Sequence, residues 1–209
     1  MHVYISGGAK NGKSYFAQRT AQALAAGVRP EDLFKGNPAG GHGALFPGGP
    51  EAAGALKRPL YYIATMMPTD EEDLARIARH LREREGWGFR TIEQSHHIEE
   101  VPAKADPDGV FLLDSVTALL ANEMFASREP FTDGGLDSDA PVRVADQLVR
   151  FLEETKDAVL VSDYIYGGGA SYDEWTRAYM EGLAYIDRRA AAVCDQVIEV
   201  AAGQKIYYK

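Results

Sequence analysis

The sequence predicts an α/β fold with a mostly parallel sheet. Short, buried-looking strand segments alternate with helical periods, a glycine-rich loop joins the first strand to the first helix, and the chain closes on a β-hairpin pattern.

The first strand is Val3–Ser6. Directly behind it, Gly7-Gly8-Ala9-Lys10-Asn11-Gly12-Lys13-Ser14 fits G-x-x-x-x-G-K-[ST], and Phe16, Ala17, Thr20, Ala23 and Leu24 then fall on one helical face. Strand, glycine turn and helix start are the context in which that pattern is a phosphate-binding P-loop. Glycines let backbone N–H groups approach phosphate oxygens, and the helix N-terminus adds a favourable dipole. Lys13 is expected to reach the β- and γ-phosphates and the Ser14 hydroxyl to bind Mg²⁺. With this loop the prediction sharpens to a three-layer, RecA-like P-loop NTPase fold, a single nucleotide-binding domain over residues 1–209.

From Gly27 to Pro59 the pattern breaks. The segment holds eight of the 21 glycines and five of the ten prolines, so no helical or strand period survives and a long loop or flap is expected. His42 within it is read as solvated. The second strand is Leu60–Thr65. A capping box, Thr69 with Glu72, then announces a helix from Asp70 with Leu74, Ile77, Ala78 and Leu81 on its buried face. Val110–Asp114 and Ala158–Ser162 are further strands, with a helix around Ala145, Leu148, Val149 and Leu152 between them. Arg128–Pro141 and Gly167-Gly168-Gly169 read as loops. A second capping box, Ser171 with Glu174, opens a helix carrying Trp175, Ala178, Tyr179, Gly182, Leu183 and Ile186 on one face. Gln196–Ala201, Gly203-Gln204 and Lys205–Tyr208 form the closing hairpin at a sheet edge.

Composition narrows the function. Acidic residues outnumber basic ones, 31 to 22, so no basic stripe exists to neutralise a nucleic-acid backbone. The single cysteine, Cys194, cannot form an internal disulfide and reads as a small core residue, which suits a reducing cytoplasm. No run of about 18 apolar residues is present to span a membrane. With a strand starting at residue 2, no signal peptide is expected.

Asp114 closes four apolar residues at a strand's C-terminal end, the Walker B arrangement, in which a carboxylate beside the P-loop holds Mg²⁺ directly or through water. Arg76, His80 and Arg84 form a row at four-residue spacing. They are either a solvated basic face or a histidine nucleophile between two phosphate-clamping arginines. His96-His97 with Glu99-Glu100 has poor metal-ligand geometry, because adjacent strand residues point to opposite faces.

Taken together the chain resembles the bifunctional adenosylcobinamide kinase/adenosylcobinamide-phosphate guanylyltransferase family. The residues that carry the likeness are the P-loop, Tyr62-Ile63-Ala64-Thr65, Ala75-Arg76-Ile77-Ala78-Arg79-His80 with Arg84, and Arg90-Thr91-Ile92-Glu93. Leu112-Leu113-Asp114-Ser115-Val116-Thr117 with Asn122, Val159–Asp163 and Arg177 extend it. The resemblance implies two reactions, phosphorylation of adenosylcobinamide by ATP or GTP and transfer of GMP from GTP through a guanylylated histidine, His80. It implies GTP contacts at Thr65, Met66, Met67, Leu81, Arg82, Glu83, Arg84, Glu93 and Asp114, a corrinoid substrate, and a homotrimer. The chain departs from the family pattern at Asp163-Tyr164 (usually Asn-Glu), Ser171 (Pro), Asp187-Arg188 (Asn-Gln), Glu85 (Pro) and Phe89 (Trp). A divergent member with only one of the two activities, another small-molecule P-loop kinase, and a nucleotide-binding regulator without catalysis are the competing readings.

Overall fold

The computed structural model describes residues 1–28, 48–68, 70–125, 136–166 and 171–209. Among them β1 (His2–Gly7), β2 (Leu60–Ala64), β3 (Phe89–Glu93), β4 (Val110–Asp114), β5 (Asp157–Asp163), β6 (Gln196–Ala201) and β7 (Gln204–Tyr207) form one sheet, in the order β3-β2-β4-β5-β1-β6-β7. The first six run parallel and β7 turns back antiparallel on β6, as the sequence predicts. The helices are α1 (Lys13–Ala25), α2 (Glu71–Glu83), α3 (Val116–Met124), α4 (Ala140–Glu154) and α5 (Glu174–Val193).

The two-residue period of the strands builds the three layers. Val3, Ile5, Leu60, Tyr62, Val110, Leu112, Val159 and Val161 pack toward α1. Their neighbours Tyr4, Tyr61, Ile63, Phe111, Leu113, Ala158 and Leu160 pack toward α3, α4 and α5. Both faces are covered, which is why these strands read as continuous apolar runs instead of alternating ones. β3 has no such run. It lies at the edge with Arg90, Thr91 and Glu93 exposed, so its hydrophobic signal is too weak to mark it as a strand in the sequence.

Several expectations are corrected. The first capping box falls on Thr69, outside the described residues; the cap of α2 is Asp70, whose carboxylate accepts from the Asp73 amide at 2.8 Å. Asp173, and not Ser171, caps α5, accepting from the Thr176 amide at 2.8 Å. Trp175 leaves the buried face of α5: it is 53% exposed and stacks on Phe125. Pro141 is buried in the first turn of α4, so the loop predicted up to it ends earlier.

The predicted loose segment Gly27–Pro59 is tied down where it is described, its residues 29–47 lying outside that set. Pro50–Ala55 form a short 3-10 helix. The buried Gln22 amide donates to the carbonyls of Gly49 and Trp87, each at 2.9 Å, and accepts from the Gly49 amide at 2.7 Å. A buried amide so fully satisfied anchors the segment to α1. Arg58 then reaches Asp157 at 2.6 Å, which also holds the N-terminal ammonium at 2.9 Å. Burial works to raise the Asp157 pKa, but the ammonium and Arg58 outweigh it and hold the carboxyl below its usual range.

The largest correction concerns α2. Its predicted buried face is not buried: no residue of the helix is, with Leu74 55% and Leu81 49% exposed. The helical period was legible, but what the face packs against is a tertiary matter, and α2 packs extensively against no other described element. Cys194 is in the core as expected, its thiol pushed up to about 12 by burial. No helix among the described residues is long and apolar enough to cross a membrane.

Candidate functional site

A cleft of about 860 Å³ opens over the carboxyl ends of β1, β2, β4 and β5, the usual place for a ligand in an open α/β sheet. One wall is the P-loop and the strand ends; the other is α2. Its lining includes Ala9, Lys10, Lys13, Ser14, Met66, Met67, His80, Arg84, Glu93, Asp114 and Asp163. A second hollow of about 540 Å³ joins Lys10, Gly12, Lys13 and Ser14 to His80, Glu83, Tyr15 and Trp87.

The P-loop conformation follows from its residues. Lys10 and Gly12 have positive φ, 58° and 89°, and Gly12, where a side chain would be strained, turns the chain directly into α1. The Asn11 amide donates to the Val200 carbonyl of β6, and its oxygen accepts from the Lys13 amide at 3.2 Å. Gly7 leaves no room for a Cβ against Asn11 and Val200. Asn11 is thus a brace of the loop, turned away from the cleft.

Lys13 is buried at 7% exposure, and its ammonium sits 2.5 Å from Asp163 and 3.3 Å from the Gly8 carbonyl. Asp114 takes hydrogen bonds from Ser14 and from the Tyr62 hydroxyl. Burial raises its pKa; Ser14 and Lys13 oppose that rise, and the neighbouring Asp163 charge adds to it. Burial also raises the Tyr62 pKa, helped by the Asp114 charge. The Arg84 guanidinium lies 3.5 Å above the centre of the Tyr62 ring, so the side chain is 8% exposed and pinned against β2. The Asp114–Ser115 peptide bond is cis.

His80 does not stand between two arginines. Arg76 pairs with Glu72 and Asp73, and Arg84 is held on Tyr62. The charged group against its Nδ1 is Glu83, at 3.1 Å, one helical turn on. His80 is half exposed and faces the P-loop across the hollow.

The remaining sequence candidates divide. Thr65 is fully buried: its hydroxyl donates to the Ser115 carbonyl and accepts from the Ser115 amide, both at 3.0 Å, so it joins β2 to β4 beneath the cleft. Leu81 and Arg82 line a separate small hollow with Glu85 and Phe89, on the side of α2 away from the P-loop. Gly7 and Gly8 belong to the loop backbone, outside the lining. Among the described residues no group of three or more His, Cys, Asp or Glu is arranged to hold a metal by itself; His96 and His97 lie in the loop after β3. His96 is half-buried: its ring contacts Ser95 Oγ at 3.0 Å and the Asn122 carbonyl at 3.3 Å.

Two cleft residues, Tyr62 and Asp163, stand in the sequence motifs without being marked there as site residues. Tyr62 looks like any core strand residue. Asp163 was legible, because Val159-Leu160-Val161-Ser162-Asp163 ends a buried strand on a carboxylate just as Val110–Asp114 does.

Comparisons with known proteins bear on this site. The sequence model of the family described as cobinamide kinase / cobinamide phosphate guanyltransferase matches residues 50–207. The bifunctional adenosylcobalamin biosynthesis protein CobU of Salmonella typhimurium is 26% identical over 209 residues, covering 97% of each chain. The protein of the same name from Escherichia coli is 41% identical over 66 residues, 31% of this chain and 35% of that one. Among solved structures, a prototypical ATPase from the type III secretion system of pathogenic bacteria superposes with a TM-score of 0.45 at 13% identity, covering 96% of this chain and 51% of that one.

Proposed function

The chain belongs to the cobinamide kinase / cobinamide phosphate guanyltransferase family and is a kinase and nucleotidyltransferase; on that premise we propose that it phosphorylates adenosylcobinamide and then transfers GMP to the product through a guanylylated His80. The observation that carries the second half is that His80 and the P-loop residues Lys10, Gly12, Lys13 and Ser14 line one hollow.

A triphosphate held by the loop amides would draw the Lys13 ammonium from Asp163 onto its phosphate oxygens. Arg84, Met66, Met67 and Glu93 are the proposed further contacts of GTP along the cleft. With Nδ1–H donated to Glu83, the Nε2 lone pair of His80 is the free nucleophile. Nε2 attacks the α-phosphorus, the bond to the β-phosphate oxygen breaks, and pyrophosphate leaves. A phosphate oxygen of the phosphorylated corrinoid then attacks the same phosphorus and releases His80.

The donor set fits Mg²⁺: a half-buried carboxylate, Asp114, whose ionised form a cation would favour, lies against the Ser14 hydroxyl, with room for phosphate and water oxygens. Ser14 and Asp114 would hold the ion, which supplies neutralisation of phosphate charge. This reading carries a cytoplasmic homotrimer with it, for which the uncovered apolar side chains of α2 are the supporting feature.

Incubation with α-labelled GTP followed by intact-mass analysis tests the reading. A covalent GMP adduct is expected on the wild-type chain and none on His80→Ala, while γ-phosphoryl transfer to adenosylcobinamide persists. A wild-type chain that forms no adduct overturns the guanylyl transfer.

A further inference from the structure

A further hollow opens beside the strand ends, walled by aromatic rings, and the steps above give it no occupant. We propose that its shelf of Phe125, Trp175 and Tyr179 seats the ring system of the corrinoid acceptor, a flat, largely apolar and cationic macrocycle. This assignment rests on the corrinoid kinase reading above and gives that acceptor a place.

Two helices assemble the shelf. Phe125 caps the C-terminal end of α3, and Trp175 stands in the first turn of α5. Their rings are parallel to within 7°, with centroids 6.4 Å apart. Tyr179, one helical turn on from Trp175, closes on the same Phe125 ring at 6.0 Å. With Asp173 and Thr176 these rings line a hollow of about 550 Å³. An indole left mostly in solvent, yet held in one orientation by a stacked neighbour, offers its free face to a ligand.

The shelf adjoins the phosphate site. The Tyr179 hydroxyl donates to the Thr117 carbonyl at 2.8 Å, and Thr117 Oγ1 accepts from the Asp163 amide at 2.9 Å. The Asp163 carboxylate in turn meets Lys13. Ser115 and Ala118, which bracket Thr117 at the start of α3, line the P-loop cleft. Cleft and shelf therefore flank one helix. From Thr117 to Phe125 that helix runs about 12 Å, so a broad ring on the shelf has one edge toward the phosphates. A hydroxyl on a flexible arm at that edge reaches the P-loop while the ring stays outside it.

Charge selects among flat occupants. Asp173 is the charged residue of the lining. The Thr176 amide and hydroxyl donate to its carboxylate at 2.8 and 3.0 Å and hold the carboxyl below its usual range. An anion beside electron-rich ring faces attracts a delocalised cation and repels a phosphate tail. An alkylcobalt(III) corrin retains a net positive charge and fits; the triphosphate donor does not.

The test is equilibrium dialysis of the full chain against adenosylcobinamide, with the phosphoryl-transfer KM for the same acceptor. Trp175→Ala should weaken both by about tenfold or more, the scale of losing one stacked aromatic face. Saturating kcat should fall by less than about threefold, because the indole seats the ring and touches no reacting atom. Trp175→Phe should recover most of the affinity. Asp173→Asn, which can still cap α5, should weaken binding about threefold at low salt and not at high salt. Wild-type acceptor affinity in Trp175→Ala overturns the assignment alone. A raised nucleotide KM with acceptor binding intact also overturns it, since the shelf is then a nucleobase platform. So does a change of oligomeric state in Trp175→Ala by light scattering, which makes the shelf a contact between copies. A wild-type chain that labels His80 with GMP yet binds no adenosylcobinamide overturns the corrinoid reading, and the assignment with it.

Discussion

The two walls of the cleft are built differently. The strand-end wall grows out of the densest part of the molecule: Ile5, Leu113, Val161 and their neighbours are fully buried, and Lys13, Asp114 and Asp163 extend from those strands or the turn beside them. The α2 wall has no buried residue at all. The groups proposed to meet phosphate charge are held by the core, whereas the proposed nucleophile is held by a helix whose ends alone are well tied, at the Asp70 cap and at Arg84 on Tyr62. Charge stabilisation depends on preorganised donors, and a wall rooted in the sheet supplies them without reorganisation. In the proposed reaction His80 takes GMP at an α-phosphate and passes it to a second substrate, and an outlying helix leaves both partners room.

This contrast can be broken at several points. The largest effect is expected from Lys13→Ala, which should lower both half-reactions by about 10³-fold while leaving the fold intact, since the side chain acts on phosphate and not on the core. Steady-state rates alongside a melting curve would check it; a variant active in either half-reaction would detach that reaction from the P-loop. Next is Leu113→Ala. At a fully buried strand position it should cost about 3 kcal/mol in chemical denaturation.

Asp157→Asn removes the carboxylate that joins β5 to the N-terminus and Arg58, with an expected loss of about 2 kcal/mol at pH 7. Its native pKa is depressed, so its contribution is present above the unfolded value near about 3.9 and lost as pH falls through the lower folded value. Wild type and variant should therefore converge only once pH has fallen below the depressed folded value, and an undiminished difference there would mean that the pair is not what stabilises this end of the sheet.

Arg84→Ala should cost about 1–2 kcal/mol, as the stacking over Tyr62 is desolvated, and it should weaken GTP binding, since Arg84 also lines the cleft as a proposed GTP contact. Calorimetric titration with GTP would check this. The smallest effect belongs to Leu74→Ala on α2, under about 0.5 kcal/mol, because the side chain is already 55% exposed. A larger cost would sharpen the comparison in a specific way: another copy of the chain would then cover α2, and light scattering on the variant should show the oligomer weakened.

Legibility in the sequence followed the same division. The P-loop, the strand-end Asp114 and four of the central strands were readable because each rests on local rules: glycine at the turn, apolar runs, a carboxylate at a strand terminus. The edge strand β3 was not, since Arg90, Thr91 and Glu93 leave both of its faces partly exposed. The period of α2 was read correctly and its burial wrongly, because amphipathicity reports a face and not what covers it. The arginines around His80 were placed by helical spacing, but their carboxylate and aromatic partners decided where they point.

By itself, then, the amino-acid sequence determined an α/β sheet opened by a phosphate-binding loop, with a carboxylate at the Asp114 strand end. Backbone geometry and burial of strand residues are local or nearest-neighbour properties, and these set that much. Only the tertiary structure decided that Asp163 meets Lys13, that Glu83 and not an arginine faces His80, and that Arg84 lies over Tyr62. Those pairings join residues far apart in the chain or choose among several reachable partners. Sheet order and register bring the strand ends together, and no residue spacing encodes that directly.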